Sequence, residues 1–314
     1  MEKILITDDV HENLLQWFKD RGCKVFYQPD ITLKEVHEII HAYDGLIINS
    51  KILVDKALLD KATNLKFVAR LGSGMEIIDQ EYAKEVGIKV FSSPEGNCDA
   101  VGEHAVAMLL AVANNLLRAD REVRQMQWNR ELNRGFELKG KTIGIVGFGH
   151  TGSAFAKKIR GFECNVIAYD KYKSNYTEPY EWVTEATPAQ IQNQADIISF
   201  HLPLTAETIH LVNEEYINAC KAGVILINTS RGKVIQTQAL VEALESGKVA
   251  AACLDVFENE KVETYNREEW ILYHKLYQCK NVILSPHVAG WTKESKFKLS
   301  QILIDKISQH FNIQ

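Results

Sequence analysis

"TIGIVGFGHTG", residues 142–152, decides the fold. An apolar run ends in Gly147, and glycines recur at Gly149 and Gly152, the spacing G-x-G-x-x-G. Alone the pattern is weak. Here it follows a predicted strand and opens a predicted helix, "SAFAKKIRGF". The next strand, "NVIAYD", ends in Asp170, about 20 residues on. Gly147 permits a tight turn, Gly149 lets the backbone approach a pyrophosphate, and Gly152 lets the helix pack on the strand. The loop, with Phe148, His150 and Thr151, leads into a helix N-terminus whose free N–H groups and positive dipole suit phosphate. Asp170 would accept hydrogen bonds from ribose hydroxyls and repel a 2′-phosphate. The expected cofactor is therefore NAD, with Lys171 and Lys173 standing against a strict choice over NADP.

Working outward, short apolar runs alternate with amphipathic stretches along nearly the whole chain. "KILIT", "CKVFYQ", "GLIIN", "LKFVAR" and "IKVFS" precede the glycine loop. "NVIAYD", "DIISFHLP", "GVILINTS", "AAACLDVF" and "NVILSP" follow it. Strands apolar on both sides, separated by helices, imply parallel sheets covered on both faces. Eleven such strands are too many for one small sheet, so the expected fold is α/β with two doubly wound domains. One is a flavodoxin-like substrate domain, residues 1–98 plus 288–314. The other is a Rossmann-type dinucleotide-binding domain, residues 99–287, inserted within it. Asp99 is expected to N-cap a long helix that carries the chain from one to the other.

The bulk composition narrows the function classes. Among 314 residues, 46% are hydrophobic and 25% charged, ordinary for a globular protein. The net charge of −5 argues against nucleic-acid or anionic-membrane partners. No apolar run reaches the roughly 18 residues of a membrane span. "MEKILITDD" lacks a signal pattern, and the six cysteines are dispersed with no C-x-x-C pair. A cytoplasmic protein with reduced thiols is expected.

Ligands of open α/β sheets sit beyond the carboxyl ends of the strands. "VILINTS" runs into Arg231, "AAACLDVF" into Glu258, Asn259 and Glu260, and "NVILSP" into His287. An arginine, a carboxylate and a histidine thus meet at one sheet edge. Histidine exchanges protons near neutral pH. A nearby carboxylate stabilises an imidazolium, and a guanidinium grips a carboxylate by two hydrogen bonds. Singly, each has a bland reading: a surface arginine, a solvated acid, a histidine at a domain junction. Together, beside a dinucleotide loop, they read as a site for moving a proton alongside a hydride.

At this point the chain resembles the D-isomer-specific 2-hydroxyacid dehydrogenase family, to which phosphoglycerate dehydrogenase belongs. The likeness rests on "GIVGFGHTGSAFAKKIRGF", "ISFHLPLTAETIHLVN", "LINTSRG", "AAACLDVFENE" and "LSPHVAG", with "LKFVARLGSGMEIID" and "GNCDAVGEHAVAMLL" in the first half. The resemblance implies that His287 is the acid/base, paired with Glu260. Arg231 would bind the substrate carboxylate and polarise the carbonyl. Asp255 would contact the nicotinamide carboxamide. His201, Leu202, Pro203, Thr205, Thr229, Ser230 and Gly290 would line the cofactor. Ser73 and Gly74 would hold the substrate carboxylate through backbone N–H groups, with Arg70 and Asn97 beside them. The implied reaction interconverts a D-2-hydroxy acid and its 2-keto acid, with D-3-phosphoglycerate, glyoxylate and hydroxypyruvate among the candidates. An NADH-sensing corepressor-like protein of the same fold is the alternative. A formate dehydrogenase is disfavoured, since that enzyme has glutamine at the position of Glu260.

Some features depart from the family. Lys261 stands where proline is usual, Lys233 and Gln236 replace a glycine and an acid, and the stretch after Glu260 is longer. Asn49 occupies the place of a phosphate-site arginine, with Lys51 nearby. Ending at Gln314, the chain is expected to lack a C-terminal regulatory domain. "HEIIH", residues 37–41, matches a zinc pattern. However, Val36, Ile39, Ile40 and Tyr43 would turn both histidines outward, and no metal is expected. "LLRADREVRQMQWNRELNR" interleaves acids with its arginines and reads as a solvated face. In the resembling family this region forms a dimer, so a homodimer through the NAD domain is expected.

Overall fold

The computed structural model describes residues 2–312. The chain forms two compact units, Met1–Cys98 with Trp291–Gln314, and Asp99–Gly290. Each is a parallel sheet between helices.

The first unit holds β1 (Lys3–Ile6), β2 (Lys24–Tyr27), β3 (Gly45–Ile48), β4 (Phe67–Arg70) and β5 (Lys89–Ser92), in the order β2-β1-β3-β4-β5. That is the flavodoxin-like order. Strand alternation divides the side chains between two apolar layers. Leu5, Leu46 and Val68 face one way, and Ile4, Ile6, Ile47, Phe67 and Ala69 the other. The closing helix Lys293–Phe311 covers the second layer with Leu303, Ile304 and Ile307. Each fully buried Leu or Ile contributes about 1.5–3 kcal/mol, so Leu303→Ala should cost about 3 kcal/mol.

The second unit holds β6 (Thr142–Val146), β7 (Asn165–Tyr169), β8 (Val183–Glu185), β9 (Ile197–Phe200), β10 (Val224–Asn228), β11 (Val249–Leu254) and β12 (Val282–Leu284). Their order, β12-β11-β10-β9-β6-β7-β8, reverses direction between β6 and β9, the switch point of a doubly wound sheet. Strand β8 has no counterpart among the eleven expected. It is a three-residue edge strand with one buried side chain, too short to show a pattern.

The helix after β5 runs Cys98–Ala113, so Asp99 lies in its first turn rather than at its N-cap. There its charge complements the dipole, and it pairs with Lys158 at 3.2 Å. Asn115, with φ 49°, ends the helical path, and a second helix, Leu116–Arg124, starts beyond it. Residues 288–290, expected with the first domain, group with the second unit. The Asp255 carboxylate accepts the amides of Val288 and Ala289, which ties them to β11. Among the described residues no single helix is long and apolar enough to cross a membrane.

Candidate active site

In the second unit the chain leaves β6, β7, β9, β10, β11 and β12 on the carboxyl edge of one sheet. The glycine loop is built as a cradle. Gly147 has φ 89°, and a Cβ there would meet the His201 carbonyl. A Cβ on Gly152 would strike the Gly147 carbonyl, while the space over Gly149 is open. Asp170, just past β7, accepts the Phe148 amide at 2.9 Å and the Tyr172 amide at 3.0 Å. The lysines beside it are engaged: Lys171 pairs with Glu207 at 2.7 Å, and Lys173 donates to the Phe148 carbonyl at 2.8 Å. Thr229 Oγ1 and His201 Nδ1 are buried here with no hydrogen-bond partner. Burial lowers the His201 imidazole to about 3, so it is neutral. An open glycine cradle, a carboxylate at the next strand end and two orphaned polar atoms fit a dinucleotide.

At the end of β10, Asn228 folds the following loop onto itself. Its Oδ1 accepts from the Ser230 amide at 3.0 Å, and its Nδ2 donates to the Arg231 carbonyl at 2.9 Å. A Cβ on Gly232 would overlap the Phe257 carbonyl, so the loops after β10 and β11 are in direct contact. This brings Arg231 near Glu260.

The acids of "DVFENE" separate cleanly. Glu258 accepts the Thr237 amide at 2.6 Å, at the start of the helix Thr237–Glu245, and pairs with His210 Nε2 at 2.6 Å. Glu260 Oε1 accepts the Phe257 amide at 3.3 Å, and Oε2 lies 2.8 Å from His287 Nδ1. Burial pushes the Glu260 carboxyl up. The His287 hydrogen bond and charge, the Phe257 amide and the Arg231 charge outweigh it, so the net shift is downward. An ionised Glu260 only accepts, so Nδ1 of His287 carries the proton and Nε2 is left for other chemistry.

A cavity of about 470 Å³ opens on this pair, lined by Phe257, Val262, Tyr265, Tyr277, Leu284 and Pro286 among others. Tyr265 and Tyr277 come from the stretch that departs from the family, where the helix Arg267–Gln278 has formed. Sequence reasoning missed this aromatic wall and the His210–Glu258 pair, since neither has a signature spacing. Asp255 was expected on a cofactor contact. It is 0% exposed, and its carboxylate is turned onto the Ser285–Ala289 turn.

In the first unit, Arg70 ends β4 and donates from Nε to the Asn49 carbonyl at 3.1 Å. Ser73 and Gly74 follow in a loop held by Ser93, whose hydroxyl accepts the Gly72 amide at 3.2 Å. Asn97 Oδ1 is buried without a partner. Lys51 is turned away, onto the Pro29 carbonyl. His37 lies on the helix Leu33–Ile39, but His41 lies on a separate 3-10 turn, Ile40–Ala42. His37 is half-buried, with Nδ1 enclosed, rather than outward. Among the described residues no cluster of three His, Cys, Asp or Glu side chains could hold a metal.

Residues 106–289 match the family described as D-isomer specific 2-hydroxyacid dehydrogenase, NAD binding domain. The chain is 38% identical over 279 residues to hydroxypyruvate reductase of Thermotoga maritima, covering 89% of this chain and 88% of that protein. It is 33% identical over 305 residues to D-3-phosphoglycerate dehydrogenase of Archaeoglobus fulgidus, covering 97% of this chain but only 56% of that protein's length. Among solved structures, D-lactate dehydrogenase of Aquifex aeolicus, complexed with NAD and lactic acid, superposes with a TM-score of 0.84 at 26% identity, covering 99% of this chain and 96% of that one. The chain therefore belongs to the D-isomer-specific 2-hydroxyacid dehydrogenases, a family of NAD-dependent oxidoreductases acting on 2-hydroxy acids and their 2-keto counterparts.

Proposed function

We propose that this protein interconverts a small D-2-hydroxy acid and its 2-keto acid, with His287 as acid/base. The observation that carries the reading is the 2.8 Å contact of His287 Nδ1 with Glu260, at the sheet edge that also bears the glycine loop. When bound, the nicotinamide supplies or accepts the hydride. In oxidation, His287 Nε2 takes the hydroxyl proton, and Glu260 stabilises the imidazolium that forms. In reduction, the same nitrogen returns the proton. Arg231 aligns the substrate carboxylate and stabilises charge developing on the keto oxygen. Gly147 to Gly152 and Asp170 hold the dinucleotide, and His201, Leu202, Pro203, Thr205, Thr229, Ser230 and Gly290 line it. In the first unit, Ser73, Gly74, Arg70 and Asn97 are the candidates that the family resemblance offers for substrate contact.

An unphosphorylated substrate of the glyoxylate or hydroxypyruvate kind suits the charges better than a phosphorylated one. Among the described residues the cavity beside His287 is lined by apolar and aromatic groups, Ser285 and Glu260, with no lysine or arginine. Lys51, two residues along the chain from Asn49, is held by the Pro29 carbonyl. A homodimer is supported by exposed apolar side chains in the segment after the helix Cys98–Ala113, with Met126 95% and Trp128 78% exposed. Among the described residues the six cysteines form no disulfide, which suits a reducing compartment such as the cytoplasm.

The test is a kinetic panel of glyoxylate, hydroxypyruvate, phosphohydroxypyruvate and pyruvate, each with NADH and NADPH, on wild type and His287→Ala. Turnover with NADH that falls at least about 1,000-fold in the variant, while NADH still binds, is expected. Near-normal turnover in His287→Ala would overturn the assignment.

A further inference from the structure

The turn that carries His287 hangs on one buried residue. The Asp255 carbonyl accepts the His287 amide at 2.7 Å. Its Oδ1 accepts the Ser285 hydroxyl at 2.5 Å and the Val288 amide at 2.9 Å, and its Oδ2 accepts the Ala289 amide at 2.8 Å. Three successive amides and one hydroxyl thus converge on Asp255. The geometry requires His287 to adopt φ 56°, a left-handed conformation that residues other than glycine rarely take. His104, on the helix Cys98–Ala113, closes the network, with Nε2 2.9 Å from Ser285 Oγ. The Ser285 proton is directed to Asp255, so His104 Nε2–H is the donor in that contact. The imidazole is thereby set from two sides, its backbone by Asp255 and its Nδ1 by Glu260.

Beyond the nicotinamide contact implied by the resemblance, we propose that Asp255 is a positioning residue whose carboxylate holds His287 in the left-handed conformation that presents its ring to Glu260. The proposal rests on His287 being the acid/base. Both carboxylate oxygens are needed as acceptors, because they face donors only. An asparagine has one acceptor oxygen, and its NH2 group would confront an amide N–H of the turn. The turn would then reopen, relaxing His287 and withdrawing the ring. Residues that orient a reacting group act through sub-ångström placement, and a shift of about 1 Å can cost about 100-fold in rate.

The experiment compares wild type, Asp255→Asn, Ser285→Ala, His287→Ala and the Asp255→Asn/His287→Ala double variant, as full chains. It measures kcat and KM for the best 2-keto acid of the panel and NADH affinity by fluorescence titration. Asp255→Asn is expected to lower kcat about 100-fold, change NADH affinity less than about 3-fold, and lower the residual rate of His287→Ala less than about 3-fold further. Losses that multiply independently in the double variant would overturn the proposal. So would weakened NADH binding with kcat retained, the signature of a cofactor contact and nothing more. Should Asp255→Asn fail to fold, Ser285→Ala decides: about a 10-fold loss of kcat at unchanged NADH affinity supports the role, and wild-type kcat refutes it. The two readings separate cleanly. Normal turnover in His287→Ala removes the acid/base and the positioning role together, whereas an inactive His287→Ala beside a fully active Asp255→Asn removes only the latter.

Discussion

Glu260→Gln removes one charge and, with its single acceptor oxygen kept on His287, the long 3.3 Å contact that Oε1 accepts from the Phe257 amide. The side chain keeps its shape, and its amide oxygen can still accept the His287 Nδ1–H that lies 2.8 Å from the carboxylate. What disappears is the negative charge opposite the imidazolium. Two unit charges about 4 Å apart interact by about 4 kcal/mol at an effective dielectric near 20. The side chains are 48% and 39% exposed, for His287 and Glu260, so water screens the pair. Exposed pairs fall well below the Coulomb figure, and about 2 kcal/mol is the reasonable intermediate, equivalent to roughly a 30-fold loss of kcat. The assay is steady-state reduction of the best 2-keto acid with NADH, alongside NADH titration to show that binding persists. Glu258→Gln is the control, two residues away. Glu258 accepts the Thr237 amide and pairs with His210, so its loss should lower Tm by several degrees and leave kcat within about 3-fold. Glu260→Gln within 3-fold of wild type, or a larger kcat loss in Glu258→Gln, would refute the reasoning.

Gly152→Ala places a Cβ on the Gly147 carbonyl, so the glycine turn must open; NADH affinity should fall at least about 100-fold with the circular dichroism spectrum retained, and unchanged affinity would show that the loop does not hold the cofactor. His201 is kept neutral by burial, at about 3 against its ordinary 6.5. The unfolded chain therefore binds that proton first on acidification. The associated stability is fully present above about pH 6.5 and declines as pH falls towards 3. Urea midpoints should drop over that range, and His201→Asn should flatten the drop; parallel curves would contradict a buried neutral ring. Trp128→Glu puts a charge in the exposed apolar segment after the helix Cys98–Ala113, and light scattering should then report a monomer mass where wild type is expected to give a dimer.

What was legible in the sequence was periodic or punctuated. The glycine spacing, the two-sided apolar strands and the residues just past each strand are local patterns, and parallel sheets bring strand ends together by construction. That is why Arg231, Glu260 and His287 could be assembled from sequence, and why β8, with one buried side chain in three residues, could not. The helix Arg267–Gln278 stayed obscure for a related reason. Its buried members are Tyr273 and Leu276, and its other aromatics, Trp270 and Tyr277, are exposed, so the apolar stripe is too narrow to read. The "HEIIH" reading assumed one continuous helix, but the α-helix tightens to a 3-10 turn at Ile40. The expected long helix is Cys98–Ala113, and Asn115 separates it from the next helix by adopting φ 49°, a conformation that asparagine tolerates better than most residues.

The six residues "DVFENE" carry three carboxylates, and residue type alone does not separate their roles. Position along the strand end does. Asp255 is the first residue beyond β11, still paired through its amide to Asn228 at 3.0 Å, so it is buried at the level where the chain leaves β12. A carboxylate there meets backbone amides, and the turn after β12 forms around it. Glu258 lies past the contact of Phe257 with Gly232, which points the chain back towards the β10 loop and delivers Glu258 to the start of the helix Thr237–Glu245. Two residues on, Glu260 has turned back, with one oxygen on the Phe257 amide and the other on His287. Of the three, it alone is paired with the His287 ring and borders the open cavity beside it. A carboxylate that is to stabilise a transient imidazolium must be held against the ring and open to the cavity, and Glu260 is both. Asp255 and Glu258 are given over to backbone geometry elsewhere, Asp255 at the turn after β12 and Glu258 at the start of the helix Thr237–Glu245.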